Sequence, residues 1–189
     1  MVKRLAIFAS GSGTNAENII RYFQSNKKAV VEMVFCNNPK AGVIERAEKL
    51  QVPHFLFDKM DFYESNKIES LLKEFQIDLI VLAGFLWLLP EKFINAFPDK
   101  IINIHPALLP RYGGKGFYGA KVHEAVLKAG EKKSGITVHY VNANFDEGKI
   151  IAQFTCEVSQ SDTPESLAAK IHRLEFEHYP KVIEQLLEQ

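Results

Sequence analysis

Five short apolar segments alternate with amphipathic ones over the first 105 residues, and this alternation limits the chain to few architectures. The apolar segments are RLAIFAS, AVVEMVFC, HFLFD, DLIVLAGF and KIINIH. Between them, NAENIIRYFQS places Ile19, Ile20 and Phe23 at helical spacing, and AGVIERAEKLQ and YESNKIESLLKEFQ read as further helices. A strand that is apolar on both faces must be covered on both. A strand–helix–strand alternation does so when the strands run parallel.

After KIINIH the pattern changes. Residues 106–119, PALLPRYGGKGFYG, carry two prolines and four glycines and predict a long loop. AKVHEAVLKAGE then reads as a helix, while GITVHYVN and KIIAQFTCEV read as strands joined by ANFDEG. Such a joint favours an antiparallel pair. The expected fold is therefore α/β, an open Rossmann-like sheet flanked by helices, mostly parallel and mixed toward the C-terminal part. A last helix starts at Thr163-Pro164, a cap residue followed by proline at the first helical position.

At 189 residues, with no repeat or linker, the chain reads as a single domain over 1–189. Hydrophobic residues make up 47% and charged residues 24%, which argues against disorder. Twenty-three basic side chains balance 23 acidic ones, so no nucleic-acid partner is expected. Cys36 and Cys156 have no metal-like spacing and read as buried, reduced thiols. The apolar run after Lys3-Arg4 is too short for a signal peptide or a membrane span, so a cytoplasmic protein without a membrane partner is expected.

The first βα turn, GSGTNA, fits the G-x-G-x-x-G/A pattern of a dinucleotide site. Such a site needs an acidic side chain about 20 residues on, at the end of the second strand, to bind the ribose. That region reads VFCNNPKAG, and Glu32 lies too early, within the strand. The turn still offers backbone N–H groups at a helix N-terminus, with Thr14 and Asn15 beside them, which suits a phosphate monoester. An ordinary strand-to-helix turn fits the residues equally.

A second constellation lies at NIHPALLP, where Asn103 and His105 point to one face at a strand end. In open α/β sheets that edge is where ligands bind. An amide donor beside an imidazole suits stabilising an oxyanion and moving a proton, although a polar strand end with a bonded histidine has the same pattern. Asp146, in the loop NANFDEG, would favour the imidazolium form of His105 if the two were close; alone it also reads as a hairpin Asp. His139 fits a core or supporting role as easily as a catalytic one, and His123 reads as a surface residue of its helix. AGFLWLL, residues 83–89, reads as core whose far end would suit a wall for a flat heteroaromatic ligand.

Together GSGTN, LAGF, NIHPALLP, HEAVL, GITVHYV and DEG resemble the phosphoribosylglycinamide formyltransferase family, the folate-dependent enzymes of purine synthesis, in order along the whole chain. The resemblance implies a nucleotide-phosphate-binding half over about 1–100 and a folate and catalytic half over about 101–189. It implies that Gly13, Thr14 and Asn15 hold the phosphate of glycinamide ribonucleotide and that Glu175 helps bind the ribonucleotide, with His172 and Arg173 as weaker candidates. Asn103, His105 and Asp146 match the catalytic triad. Leu86, Trp87, Leu88 and Leu89, with Asn142, Ala143, Asn144, Phe145 and Asp146, match the folate-binding segments, to which Asn103 also belongs.

The implied co-substrate is 10-formyltetrahydrofolate, with no metal, and either a monomer or a homodimer is compatible. The implied mechanism has Asn103 and protonated His105 stabilising an oxyanion while Asp146 keeps His105 charged and relays a proton. Trp87 stands where many members carry arginine, and the loop after Pro110 is longer than in the shorter members. A formyltetrahydrofolate deformylase shares the catalytic region but normally carries an extra N-terminal domain. Methionyl-tRNA formyltransferase adds a C-terminal one. A non-catalytic nucleotide-binding module would keep the glycine turn without needing the triad.

Overall fold

The computed structural model describes residues 2–188. Its seven strands form one sheet in the order β3-β2-β1-β4-β5-β6-β7. β1 (Lys3–Ala9) is central, and its continuous apolar run is buried from Leu5 to Ala9 because helices cover both faces. β2 (Ala29–Cys36) and β3 (His54–Leu56) extend the sheet on one side, and β4 (Leu79–Leu82) and β5 (Ile101–His105) on the other, all in parallel pairings. β6 (Lys133–Tyr140) and β7 (Ile150–Glu157) then pair antiparallel, as the short joint between them predicts. The chain reverses its direction of travel across the sheet between β1 and β4, and a crevice opens there beyond the strand ends.

One apolar cluster joins α1 (Thr14–Asn26), α2 (Gly42–Lys49), α5 (Ala120–Lys128) and α6 (Pro164–Leu187) to one face of the sheet. The other face is dominated by phenylalanine: Phe8, Phe35, Phe57, Phe62 and Phe93 are all buried there, with Phe8 and Phe35 stacked at 4.6 Å. Each such side chain contributes about 1.5–3 kcal/mol of burial. α3 (Lys67–Glu74) and α4 (Glu91–Ala96) lie in this layer.

The helix predicted over residues 63–76 is interrupted. A π-helical turn over Met60–Glu64 ends at Ser65, which is extended at φ −113°, and α3 begins only at Lys67. Ser65 Oγ donates to the Asp61 carbonyl and accepts from Lys67 N–H, a local alternative to helical bonding. Cys36 is fully buried as expected, whereas Cys156 is only half-buried because β7 is an edge strand.

α6 has a capping box, in which Thr163 Oγ1 accepts from Ser166 N–H and Ser166 Oγ accepts from Thr163 N–H. Pro180 lies inside it and has no N–H for the Phe176 carbonyl four residues earlier. Asn18 of α1 fills that gap by donating to Phe176 O at 2.9 Å. Fully buried Tyr179 donates its hydroxyl to the Leu82 carbonyl at the end of β4, so α6 is fixed over the crevice from two directions.

Candidate active site

The carboxyl ends of β1, β4 and β5 open into a cleft of about 720 Å³. At its floor, Ser10 ties the first turn to the segment after β4: its N–H donates to Gly84 O at 3.0 Å and its Oγ accepts from Leu86 N–H at 3.1 Å. Gly13 caps α1 with φ +77°, and a Cβ there would lie 2.5 Å from Val43 Cβ. Only glycine satisfies both constraints. The turn therefore presents the first N–H groups of α1 and the side chain of Thr14 to the cleft.

Asn15 also lines the cleft and reaches across to α6. Its Nδ2 donates to Glu175 Oε2 at 2.8 Å, while its Oδ1 is buried without a partner. Glu175 is buried on α6, and His172 Nδ1 lies 2.9 Å from the same carboxylate. The hydrogen bond to Glu175 raises the His172 pKa. His123, expected at the surface, is instead buried on the cleft side of α5, with Nδ1 unpartnered. Burial, followed by the nearby His172 charge, lowers its pKa. Arg173 is exposed and does not line the cleft.

β5 delivers Asn103 and His105 to the same face, with Asn103 opposite His139 of β6. His139 Nδ1 lies 2.8 Å from the Tyr140 carbonyl and donates to it, and Nε2 lies 3.2 Å from Asn103 Nδ2. The same amide nitrogen is 3.5 Å from Asp146 Oδ1. His105 Nε2 donates to the Tyr112 carbonyl at 2.7 Å, and Nδ1 faces Asp146 Oδ2 at 3.4 Å. The three residues matched to a catalytic triad thus meet, with His139 behind Asn103.

The resemblance implies a charged His105, and the surroundings of the ring in the free protein oppose that charge. Burial lowers its pKa more than the Asp146 charge and the Tyr112 carbonyl raise it. Burial thus disfavours the charged ring in the free protein, and its Nδ1 faces the Asp146 carboxyl. Burial acts to raise the Asp146 pKa, but His139, with Nε2 3.7 Å from Oδ1, the His105 ring and the Gly114 N–H together leave it lowered. Asp146 is accordingly a carboxylate.

The other end of the cleft is apolar. Leu86 and Leu88 are 54% and 38% exposed and unpaired with the core, so they form a wall, while Leu89 is buried beneath them. Trp87 is half-buried: it stacks on Tyr63 at 5.9 Å and meets Phe57 edge-on. Asn142, Asn144, Phe145 and Asp146 line the opposite side, whereas Ala143 is exposed outside the lining. Among the described residues no group of three or more His, Cys, Asp or Glu side chains is placed to hold a metal ion.

Residue type did not reveal the backbone groups of the glycine-rich loop that touch the triad, the Tyr112 carbonyl and the Gly114 N–H. His123 was also missed; its place beside Val122 and Val126, both buried, was the available signal.

The sequence profile of the formyl transferase family matches residues 3–183. The phosphoribosylglycinamide formyltransferase of Bacillus subtilis (strain 168) is 40% identical over 191 residues, which span 98% of this chain and 95% of that protein. The crystal structure of phosphoribosylglycinamide formyltransferase from Anaplasma phagocytophilum superposes with a TM-score of 0.92 at 35% identity, covering 100% of this chain and 88% of that one. Glycinamide ribonucleotide transformylase 1 from Geobacillus kaustophilus superposes with a TM-score of 0.88 at 40% identity, covering 99% and 100%.

Proposed function

The chain belongs to the formyl transferase family, and from that premise we propose how its cleft performs the reaction for which its relatives are named. The enzyme is a phosphoribosylglycinamide formyltransferase. It transfers the formyl group of 10-formyltetrahydrofolate to the amine of 5'-phosphoribosylglycinamide, giving formylglycinamide ribonucleotide and tetrahydrofolate in purine biosynthesis.

The phosphate binds at Gly13, Thr14 and the start of α1, where N–H groups and the helix dipole favour an anion. Glu175, held by Asn15, accepts from the ribonucleotide's hydroxyls. The folate ring lies between Leu86–Leu89 and the loop 142–146. These two ligands enter from opposite ends, so the amine and the formyl carbon meet beside Asn103 and His105.

One observation carries the mechanism: His105 Nε2–H is committed to the Tyr112 carbonyl while Nδ1, the free site of a neutral ring, faces Asp146 at 3.4 Å. The amine attacks the formyl carbon and yields an oxyanion beside an ammonium. Asn103 donates its amide N–H to the oxyanion. His105 Nδ1 takes the ammonium proton, becoming an imidazolium opposite the Asp146 carboxylate, and returns that proton to the folate N10 as the C–N bond breaks. Charge on His105 thus develops during transfer, and Asp146 stabilises it at that moment. Fixed donors of this kind are each worth roughly 10²–10³ in turnover.

The test follows loss of formyl group from 10-formyltetrahydrofolate with and without the ribonucleotide. Loss that requires the ribonucleotide and yields its formyl derivative is the expected result. Equal loss without it, with formate as product, would make the chain a deformylase. No loss in either case would leave a binding module.

A further inference from the structure

The loop after Pro110 touches both members of the proton-transfer pair. The Tyr112 carbonyl accepts from His105 Nε2 at 2.7 Å, and two residues later the Gly114 N–H donates to Asp146 Oδ2 at 3.0 Å. Between them, Gly113 lies so close to Leu109 and Asp146 that a Cβ would overlap Leu109 Cδ2 and sit 3.2 Å from Asp146 Cβ. The three residues are therefore laid flat against the pair by sterics as well as by hydrogen bonds.

This path requires an unfavourable backbone. Tyr112 has φ +58°, a left-handed conformation that is unfavourable for a non-glycine residue. Something outside the loop must hold it. The Tyr112 hydroxyl donates to Glu131 Oε1 at 2.7 Å, and Arg111 pairs with the same oxygen. Glu131 lies just after α5, remote from the cleft lining, and its carboxylate is mostly shielded, with 20% of the side chain exposed.

We propose that Tyr112–Gly114 acts as a strap that orients His105 and Asp146, and that Glu131 is the positioning residue that anchors it. The inference rests on the catalytic reading of that pair given above. The strap carbonyl dictates which ring nitrogen of His105 keeps its proton, and so directs the other nitrogen to the reaction. Without the anchor, Tyr112 relaxes, its carbonyl leaves His105, and the ring populates both tautomers.

Tyr112→Phe removes only the hydroxyl, and Glu131→Ala removes the same bond from the other side. Each lowers kcat by about 10-fold to 100-fold, the cost of a small misplacement of a reacting group, with KM for both substrates within about twofold of the parent. Glu131→Gln keeps an acceptor oxygen and recovers most of the loss. The double variant Tyr112→Phe/Glu131→Ala is no worse than Glu131→Ala alone, because that substitution already removes the Tyr112 contact along with the Arg111 pair.

¹⁵N spectra of labelled histidine in the free protein give the independent readout. The parent shows His105 as the Nε2–H tautomer, and the two disruptive variants show a mixture. Unchanged kcat in both variants, or a lowered kcat with His105 still a single tautomer, overturns the proposal. A parent protein without formyl transfer would sink the functional reading instead, and the tautomer comparison would still decide the strap.

Discussion

His105 is poised by two opposed environments: burial that disfavours its charge and a carboxylate that favours it. Because the neutral ring takes the proton, the acid limb of kcat/KM falls below the ordinary histidine value of 6.5. An acid limb above that value would contradict the neutral resting state. His105→Ala and Asp146→Asn abolish turnover with the fold retained, which circular dichroism and activity together check. The histidines also make stability depend on pH. His105 and His123 have lowered pKa values, so the unfolded state binds more protons, and stability is lost as pH falls through 6.5 toward their folded values. His172 is raised and acts oppositely, contributing stability at low pH that is lost as pH rises through its folded value. Between roughly pH 7 and 5, His123→Gln therefore flattens the fall in urea midpoint and His172→Gln steepens it. Asn103, His105 and Asp146 stood out by side-chain type and by the family resemblance, and the fold brings them together. The Tyr112 carbonyl and Gly114 N–H did not, since every residue carries such groups and only the fold places them.

The elements were legible where periodicity alone decides them. AVVEMVFC matches β2 residue for residue, since a short β-branched and apolar run bounded by turn residues reads as a strand even with Glu32 inside it. The interrupted segment before α3 was not, because Ser65 competes for backbone bonds at a site where the apolar period continues. α6 is the element on which the ribonucleotide side of the cleft depends. Thr163→Ala removes one bond of its capping box and lowers unfolding free energy by about 1 kcal/mol, with kcat unchanged; a chemical denaturation curve measures this. At the opposite wall, Gly13→Ala forces a left-handed alanine against Val43. It weakens ribonucleotide binding while leaving KM for the folate near its parent value. Equal loss for both ligands would mean that the turn only supports the fold.

At the scale of the molecule, the site draws on both faces and both ends of the chain. A ligand that binds only the complete cleft stabilises the whole fold by mass action, by about 2.7 kcal/mol at a hundredfold excess over Kd. Saturating ribonucleotide therefore raises Tm for the parent and much less for Asn15→Ala, as differential scanning calorimetry shows. The mixed sheet was legible from its joints, but the partnership of Asn15 with Glu175 was not, because it spans 160 positions. That span orders events during synthesis. Asn103, His105 and Asp146 are synthesised before the helix that carries Glu175. The ribonucleotide side of the cleft is therefore completed only when α6 packs onto α1.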